Sequence, residues 1–158
     1  MDKYQFSYQR SPKTELPETI QKLVQAAEEA TARAYAPYSK FLVGASLLME
    51  DGTMRTGANQ ENASYPAGIC AEKAALASLD LNKKNNKVKA IAVTYRNGND
   101  AGIPVAPCGI CRQSILEVQL AQGAPIAVYM TGPDGDTIFV EDASLLLPFF
   151  FSGSNLNG

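Results

Sequence analysis

Histidine is absent from the 158-residue sequence, and cysteine occurs only three times. Without histidine, any transition-metal site must be built from sulfur or carboxylate ligands. An odd number of cysteines fits poorly with a fully paired disulfide framework and fits well with reduced thiols that bind a metal. These two features direct attention to the three cysteines as ligands.

Long apolar runs and a strong charge excess are also missing. No run approaches the roughly 20 apolar residues that span a bilayer, and no basic-then-apolar signal opens the chain, so we predict a cytoplasmic protein without a membrane partner. The formal net charge is −2. The lysine cluster from Lys83 and Lys84 to Lys89 is short and interrupted by asparagine, which indicates a solvated turn and no nucleic-acid partner. Length and a hydrophobic content of 46% predict one domain over residues 1–158.

The three cysteines lie in two short motifs, Cys70-Ala71-Glu72 and Pro107-Cys108-Gly109-Ile110-Cys111. Together they offer three soft ligands to one zinc ion and leave its fourth tetrahedral position open for a water molecule. Because sulfur outcompetes carboxylate for zinc, Glu72 is free to take a proton from that water as a general acid/base. The pattern predicts a catalytic zinc site in which Cys70 and Cys108 each begin a helix, where the helix dipole favours thiolates.

The two motifs also have other interpretations. A Cys-x-x-Cys pair alone is also typical of a structural zinc knuckle or a thioredoxin-like redox site. A four-ligand structural site lacks a fourth cysteine or a histidine, and a redox pair leaves Cys70-Ala71-Glu72 unexplained. For Glu72 the alternative is an acid that only complements the dipole at the start of a helix.

The order of predicted elements favours a mixed sheet with helices on its faces. Residues 1–16 show no clear period and are interpreted as a surface arm that packs on a neighbouring subunit. A helix starts at Pro17 and ends before Pro37. The five predicted strands cover 41–49 and 53–59 around an Asp51-Gly52 turn, then 90–93, 126–130 and 137–140. Further helices are predicted over 70–80, from Cys108 onward, and over 143–147; the apolar face of the second comprises Ile115, Leu116, Val118 and Leu120.

The chain resembles the small cytidine deaminases of pyrimidine salvage. The resemblance lies in residues 36–41, 43–45, 57–66, 70–73, 107–113 and 146–151. It implies a three-layer α/β/α sandwich, one zinc ion per chain, and a homotetramer with shared active sites. It also implies hydrolytic deamination of the nucleosides cytidine and 2′-deoxycytidine to uridine and 2′-deoxyuridine with release of ammonia.

The resemblance implies roles for several substrate-binding residues. Phe41 would stack on the base, although a phenylalanine in an apolar strand is more often a core residue. Asn59 and Glu61 would bind the ribose, with Glu61 at the 3′-hydroxyl; the alternative is an ordinary polar loop. The main-chain N–H of Ala71 and the carbonyl of Ala106 would contact O2 and the exocyclic amine of the pyrimidine.

The C-terminal segment carries Phe149, Phe150 and Phe151, an apolar cluster that a monomer would be expected to hide. By resemblance, Phe151 would reach into the active site of a neighbouring subunit. The side chains of Phe149 and Phe150 at the intervening positions are bulkier than expected there.

Lys73 stands where three-cysteine members of this family usually have arginine. Three thiolates and one zinc dication leave a net charge of −1, which a nearby cation offsets. We predict that Lys73 does so in part and that Arg112, which follows Cys111, assists it; the alternative is that Lys73 only faces solvent.

Three rival functions remain to be distinguished. A deaminase of another cytosine nucleoside, such as a blasticidin-type substrate, would carry the same motifs. An editor of polynucleotide cytosines predicts a basic face, which the net charge does not suggest. A non-catalytic zinc-stabilised assembly module predicts zinc without turnover.

Overall fold

The computed structural model of the protein describes residues 1–83, 86–98 and 102–156. These residues contain three α-helices, which are α1 (Glu18–Ala30), α2 (Ala71–Leu76) and α3 (Gly109–Gln122). They also contain six strands: β1 (Gln9–Pro12), β2 (Leu42–Met49), β3 (Met54–Ala58), β4 (Val88–Arg96), β5 (Ala127–Thr131) and β6 (Asp136–Val140). A 3₁₀ turn at Ala143–Leu146 follows β6.

The six strands form one mixed sheet in the order β1-β6-β5-β4-β2-β3. Only β4 and β5 run parallel, and they are joined through α3, as a parallel pair requires a crossover. The prediction of five strands was therefore one strand short. The sixth, β1, lies within the predicted surface arm and pairs antiparallel with β6, where Arg10 Nη2 lies 2.5 Å from Asp136 Oδ2.

The helices cover both faces of the sheet, which confirms the predicted three layers. Because side chains alternate along a strand, each central strand supplies both faces. The cluster under α1 contains Leu23, Val24, Ala27, Leu48, Ala90, Ala92 and Tyr129. The cluster under α2 and α3 contains Ala71, Ala75, Ile115, Leu47, Ile91, Val93 and Val128.

Two helices end earlier than the sequence suggests. Helix α1 follows Pro17 as predicted but ends at Ala30, because Thr31–Arg33 continue as a 3₁₀ turn in which Thr31 Oγ1 donates to the Glu28 carbonyl at 2.6 Å. Helix α2 ends at Leu76 and not at Asp80. Beyond the C-cap residue Ala77, the N–H groups of Ser78 and Leu79 bond to carbonyls only three residues back, so the chain tightens out of the α-helix.

The surface corrects the predicted pattern at Leu120 and agrees with it at Lys83 and Lys89. Leu120 is 43% exposed and so lies outside the apolar face of α3, which consists of Ile115, Leu116 and Val118. In the lysine cluster Lys83 and Lys89 are exposed, whereas Lys84 lies outside the described residues. No helix in the described ranges is long and apolar enough to cross a membrane.

The start of β2 and the ends of β3 and β4 meet at one edge of the sheet, which we call the site edge. Leu42 pairs with Arg96, and Gly44 pairs with Ala58, because β2 is antiparallel to both neighbours. The segments that follow β3 and β4 therefore leave the sheet side by side. These are the segments that lead to Cys70 and Cys108.

Candidate active site

The three cysteine thiols converge on one point. The Sγ atoms of Cys70, Cys108 and Cys111 all lie within 4.8 Å of one another, and those of Cys108 and Cys111 are 3.7 Å apart. Zn–S bonds of about 2.3 Å at tetrahedral angles place two sulfurs about 3.8 Å apart. The spacing of the thiols fits three ligands of the predicted zinc ion, and the cluster itself supplies no fourth ligand.

Two helix starts bring the thiols together. Cys70 and Cys108 have extended backbones and directly precede α2 and α3, as predicted, and Cys111 lies in the first turn of α3. Gln60 and Ile69 pair through two backbone hydrogen bonds of 2.9 Å each, which return the chain from the end of β3 to Cys70. The polar loop between them is closed by this pairing.

Burial opposes ionisation of all three thiols. It raises the pKa of Cys70, and it raises that of the fully buried Cys111 far more. For Cys108, partial burial acts in the same direction, but hydrogen bonds from the Cys111 N–H and thiol outweigh it and lower the pKa. A buried thiol ionises only when a cation lies beside it, so metal binding at this cluster releases protons.

Glu72 lies in the first turn of α2 and is only 4% exposed. Burial raises the pKa of its carboxyl, and the Cys111 thiol lies within hydrogen-bonding reach. A carboxylate that merely complemented the helix dipole would remain in solvent, where it costs nothing to keep charged. The buried position beside the thiols instead suits a group that exchanges protons with a ligand of the metal.

Asn59 and Glu61 hold the segment that precedes β2. The amide oxygen of Asn59 accepts from the Val43 N–H at 2.8 Å, and its nitrogen donates to the Phe41 carbonyl at 2.9 Å. Glu61 Oε2 accepts from the N–H groups of Tyr38 at 2.9 Å and Ser39 at 3.3 Å. Hydrogen bonding from the Ser39 side chain is the main cause that lowers the pKa of Glu61. Asn59 thus lies beside Phe41 at the site edge, and Glu61 lies beside Tyr38 and Ser39 of the same segment.

Phe41 stacks on a residue that sequence reasoning did not single out. Its ring lies 4.7 Å from that of Tyr95, centroid to centroid, at an interplanar angle of 23°. Tyr95 is buried at the end of β4, and Phe41 is half-buried. The available signal was an aromatic residue near the end of β4, whose other buried side chains are small or aliphatic.

The two predicted cations differ in environment. Arg112 is half-buried, and its Nε and Nη1 donate to the carbonyls of Pro107 at 2.8 Å and Leu146 at 2.9 Å. It therefore ties the start of α3 to the C-terminal 3₁₀ turn. Lys73 is exposed on α2.

The remaining predicted contact residues flank the thiol cluster. Ala71 is fully buried as the first residue of α2, and Ala106 is exposed just before Pro107. Phe151 is 57% exposed, and its carbonyl accepts from Gln113 Nε2 at 3.0 Å, which holds the C-terminal segment beside the start of α3.

Comparison with known proteins agrees with this geometry. Residues 17–124 match the family model described as the cytidine and deoxycytidylate deaminase zinc-binding region. The cytidine deaminase of Sporosarcina psychrophila is 40% identical over 140 residues, which cover 87% of this chain and 95% of that protein. The cytidine deaminase of Halalkalibacterium halodurans is 42% identical over 137 residues, 87% and 97% of the two chains. The crystal structure of cytidine deaminase from Burkholderia pseudomallei superposes with a TM-score of 0.70 at 38% identity and covers 83% of this chain and 98% of that one.

Proposed function

Because the chain belongs to the cytidine and deoxycytidylate deaminase family, we propose that it hydrolyses cytidine and 2′-deoxycytidine to uridine and 2′-deoxyuridine. The observation that carries this proposal is the meeting of three thiols with one buried carboxyl, that of Glu72, in the family's zinc-binding region. One water molecule is consumed, the bond from C4 to the amine breaks, a C4 carbonyl forms, and ammonia leaves.

Within the site, Cys70, Cys108 and Cys111 would hold the zinc ion. When bound, zinc acts as a Lewis acid that lets a water molecule lose a proton near neutral pH. Glu72 takes this proton, delivers it to N3 of the pyrimidine, and carries a second proton to the leaving amine. Its burial keeps bulk water away from the carboxyl during these transfers.

The nucleoside lies across the site edge. Phe41 stacks on the base with the ring face that Tyr95 leaves open. Asn59 and Glu61, which anchor the 36–41 segment, face the ribose, and Glu61 accepts from the 3′-hydroxyl. Ala71 offers O2 an N–H that has no acceptor within its helix, and the Ala106 carbonyl accepts from the amine.

Lys73 and Arg112 offset the net negative charge of three thiolates and zinc. The engagement of Arg112 with two carbonyls supports a fixed cation at the start of α3. Lys73→Gln should lower kcat/KM by about tenfold, as loss of a group behind a metal ligand does, with zinc retained. Lys73→Arg should match or exceed the parent, and an unchanged rate in Lys73→Gln would assign Lys73 to solvent alone.

The exposed C-terminal aromatics support a homotetramer in which Phe151 enters a neighbour's site. Sedimentation of the parent should give a tetramer, and Phe151→Ala should raise KM; a fully active monomer would remove this part of the proposal. We place the single-domain enzyme in the cytoplasm, where reduced thiols persist as ligands.

An ultraviolet assay tests the function directly. Cytidine and 2′-deoxycytidine should be converted, whereas cytosine and a 3′-phosphorylated nucleoside should react poorly because Glu61 requires a 3′-hydroxyl donor and repels phosphate. Preferential turnover of a blasticidin-type nucleoside would identify the rival deaminase. Zinc binding without turnover of any of these substrates would support an assembly module and contradict the proposal.

A further inference from the structure

Tyr95 covers one face of the Phe41 ring. The two rings are stacked at 4.7 Å with an interplanar angle of 23°, and Tyr95 is only 7% exposed. Phe41 is half-buried, so part of its side chain remains accessible. An aromatic ring with a fixed neighbour on one side presents a pre-oriented surface on the other.

The Tyr95 ring is itself held at both ends. Its backbone lies in β4 opposite Val43 of β2, two residues from Phe41. Its hydroxyl donates to the Ile103 carbonyl at 3.2 Å. A Cβ on Gly102 would overlap this hydroxyl, so the approach of the 102–103 segment requires a glycine there.

The segment that receives the Tyr95 hydroxyl continues to Pro107 and Cys108. Tyr95 therefore connects the ring that stacks on the base with the chain that delivers a metal ligand. We infer that Tyr95 is a positioning residue, which acts through Phe41 to set the place of the pyrimidine relative to the thiol cluster. This inference depends on the proposed function, since it assigns Tyr95 to the binding of the same substrate.

Removal of the stack loosens a contact that the base makes both before and during the reaction. Such a contact affects KM more than kcat. Tyr95→Leu should raise the KM for cytidine by about three- to tenfold, the range of one aromatic pair, with zinc content unchanged. Tyr95→Phe keeps the stack, and its KM should stay within about twofold of the parent.

The chain offers a matched control. Tyr129 and Phe139 stack at 4.9 Å and 20°, and Tyr129 is 8% exposed, but this pair lies on the α1 face away from the thiols. Tyr129→Leu should lower the unfolding midpoint as Tyr95→Leu does and leave KM unchanged. A KM that rises equally in both variants would show a general effect of destabilisation and overturn the assignment.

A double-mutant cycle isolates the route through Phe41. Phe41→Leu alone should raise KM, and Tyr95→Leu should add nothing in that background. A full additional effect of Tyr95→Leu in the double variant would overturn the inference, because Tyr95 would then act without Phe41. If Phe41→Leu left KM unchanged while cytidine was still deaminated, the stacking role itself would be wrong. Absence of turnover by the parent would instead overturn the proposed function and this inference with it.

A second pair of variants tests the role of Tyr95 without removing its buried ring. Gly102→Ala pushes on the Tyr95 hydroxyl and should raise KM, and Tyr95→Phe added to it should restore KM because it removes the overlapping atom. A raised KM in Gly102→Ala that Tyr95→Phe failed to rescue would contradict the proposed link.

Discussion

The two faces of the sheet differ in what they bury. Under α1 the core is largely apolar: Leu23, Val24 and Ala27 are fully buried against apolar strand residues, and the neutral Ser46 donates its hydroxyl to the Leu23 carbonyl. Under α2 and α3 the same kind of core also contains the buried Glu72 and the thiol of Cys111. Burial of a carboxyl or a thiolate is unfavourable until a metal or proton compensates the charge. The α1 face therefore stabilises the fold, whereas the other face buries ionisable groups that a metal or a proton must neutralise.

The largest effect is expected from removal of a zinc ligand on the α2 and α3 face. Cys111→Ala is expected to lose zinc and measurable activity, and to lower stability because metal binding couples to folding. Elemental analysis measures the zinc content, and cytidine turnover measures the activity. Replacement of the exposed Glu117 on the same helix by alanine is the control and should change neither. Full zinc occupancy in Cys111→Ala would remove that residue from the ligand set.

Two glycines allow the faces to be compared directly. A Cβ on Gly57 would overlap the Ala71 carbonyl and the Ala75 nitrogen of α2, whereas one on Gly44 would overlap the Ala27 carbonyl of α1. Each alanine variant should lose about 1–3 kcal/mol of unfolding free energy through overpacking.

Only Gly57→Ala shifts the helix that carries Glu72 and follows Cys70. Its kcat/KM per folded molecule should therefore fall by at least about tenfold, as small misplacements of catalytic groups do. Gly44→Ala should retain the parent value. Equal activity in the two variants would show that the position of α2 is not critical.

The smallest effect is expected at Asp142, where the α3 face meets the C-terminal turn. Partial burial raises the pKa of its carboxyl, but hydrogen bonds from Ser144 and Gln119 outweigh burial and lower it. Asp142→Ala should cost about 1 kcal/mol at neutral pH, as loss of a capping residue does.

The pH dependence of this effect follows from the lowered pKa. The stabilisation is present above the ordinary aspartate value of about 3.9 and is lost as the pH falls through the lower folded value. The unfolding free energies of parent and variant, measured with denaturant, should therefore converge in acid. Loss of zinc in acid affects both proteins alike, so it cancels in the difference between them. A difference that stayed constant below pH 4 would contradict the role of the charge.

The sequence predicted the elements whose side chains are buried in a regular pattern, and missed one whose stability comes from backbone pairing. Strand β1 is Gln9–Pro12, and it shows no apolar alternation because its side chains are largely exposed. Its position depends on pairing with β6 and on the contact of Arg10 with Asp136. The early end of α2 was equally hidden, because Ala, Lys and Leu favour a helix throughout the 70–80 region.

The site was predictable where short motifs carry the chemistry. The thiol cluster of Cys70, Cys108 and Cys111 is confirmed as a group that can hold a metal ion. The stacking of Tyr95 on Phe41 could not be predicted from local sequence, because the two residues meet only through the pairing of β4 with β2. Close helix approach at Gly57 likewise depends on tertiary packing, which no local pattern encodes.

Glu72→Gln provides the most direct test of the central claim, since it preserves the size of the buried side chain and removes its ability to exchange a proton. The purified variant should retain one zinc ion per chain and the parent's unfolding midpoint, while the rate of cytidine deamination falls by about a hundredfold to ten-thousandfold. Deamination within about threefold of the parent rate, with zinc bound, would contradict Glu72 as the proton-transfer group.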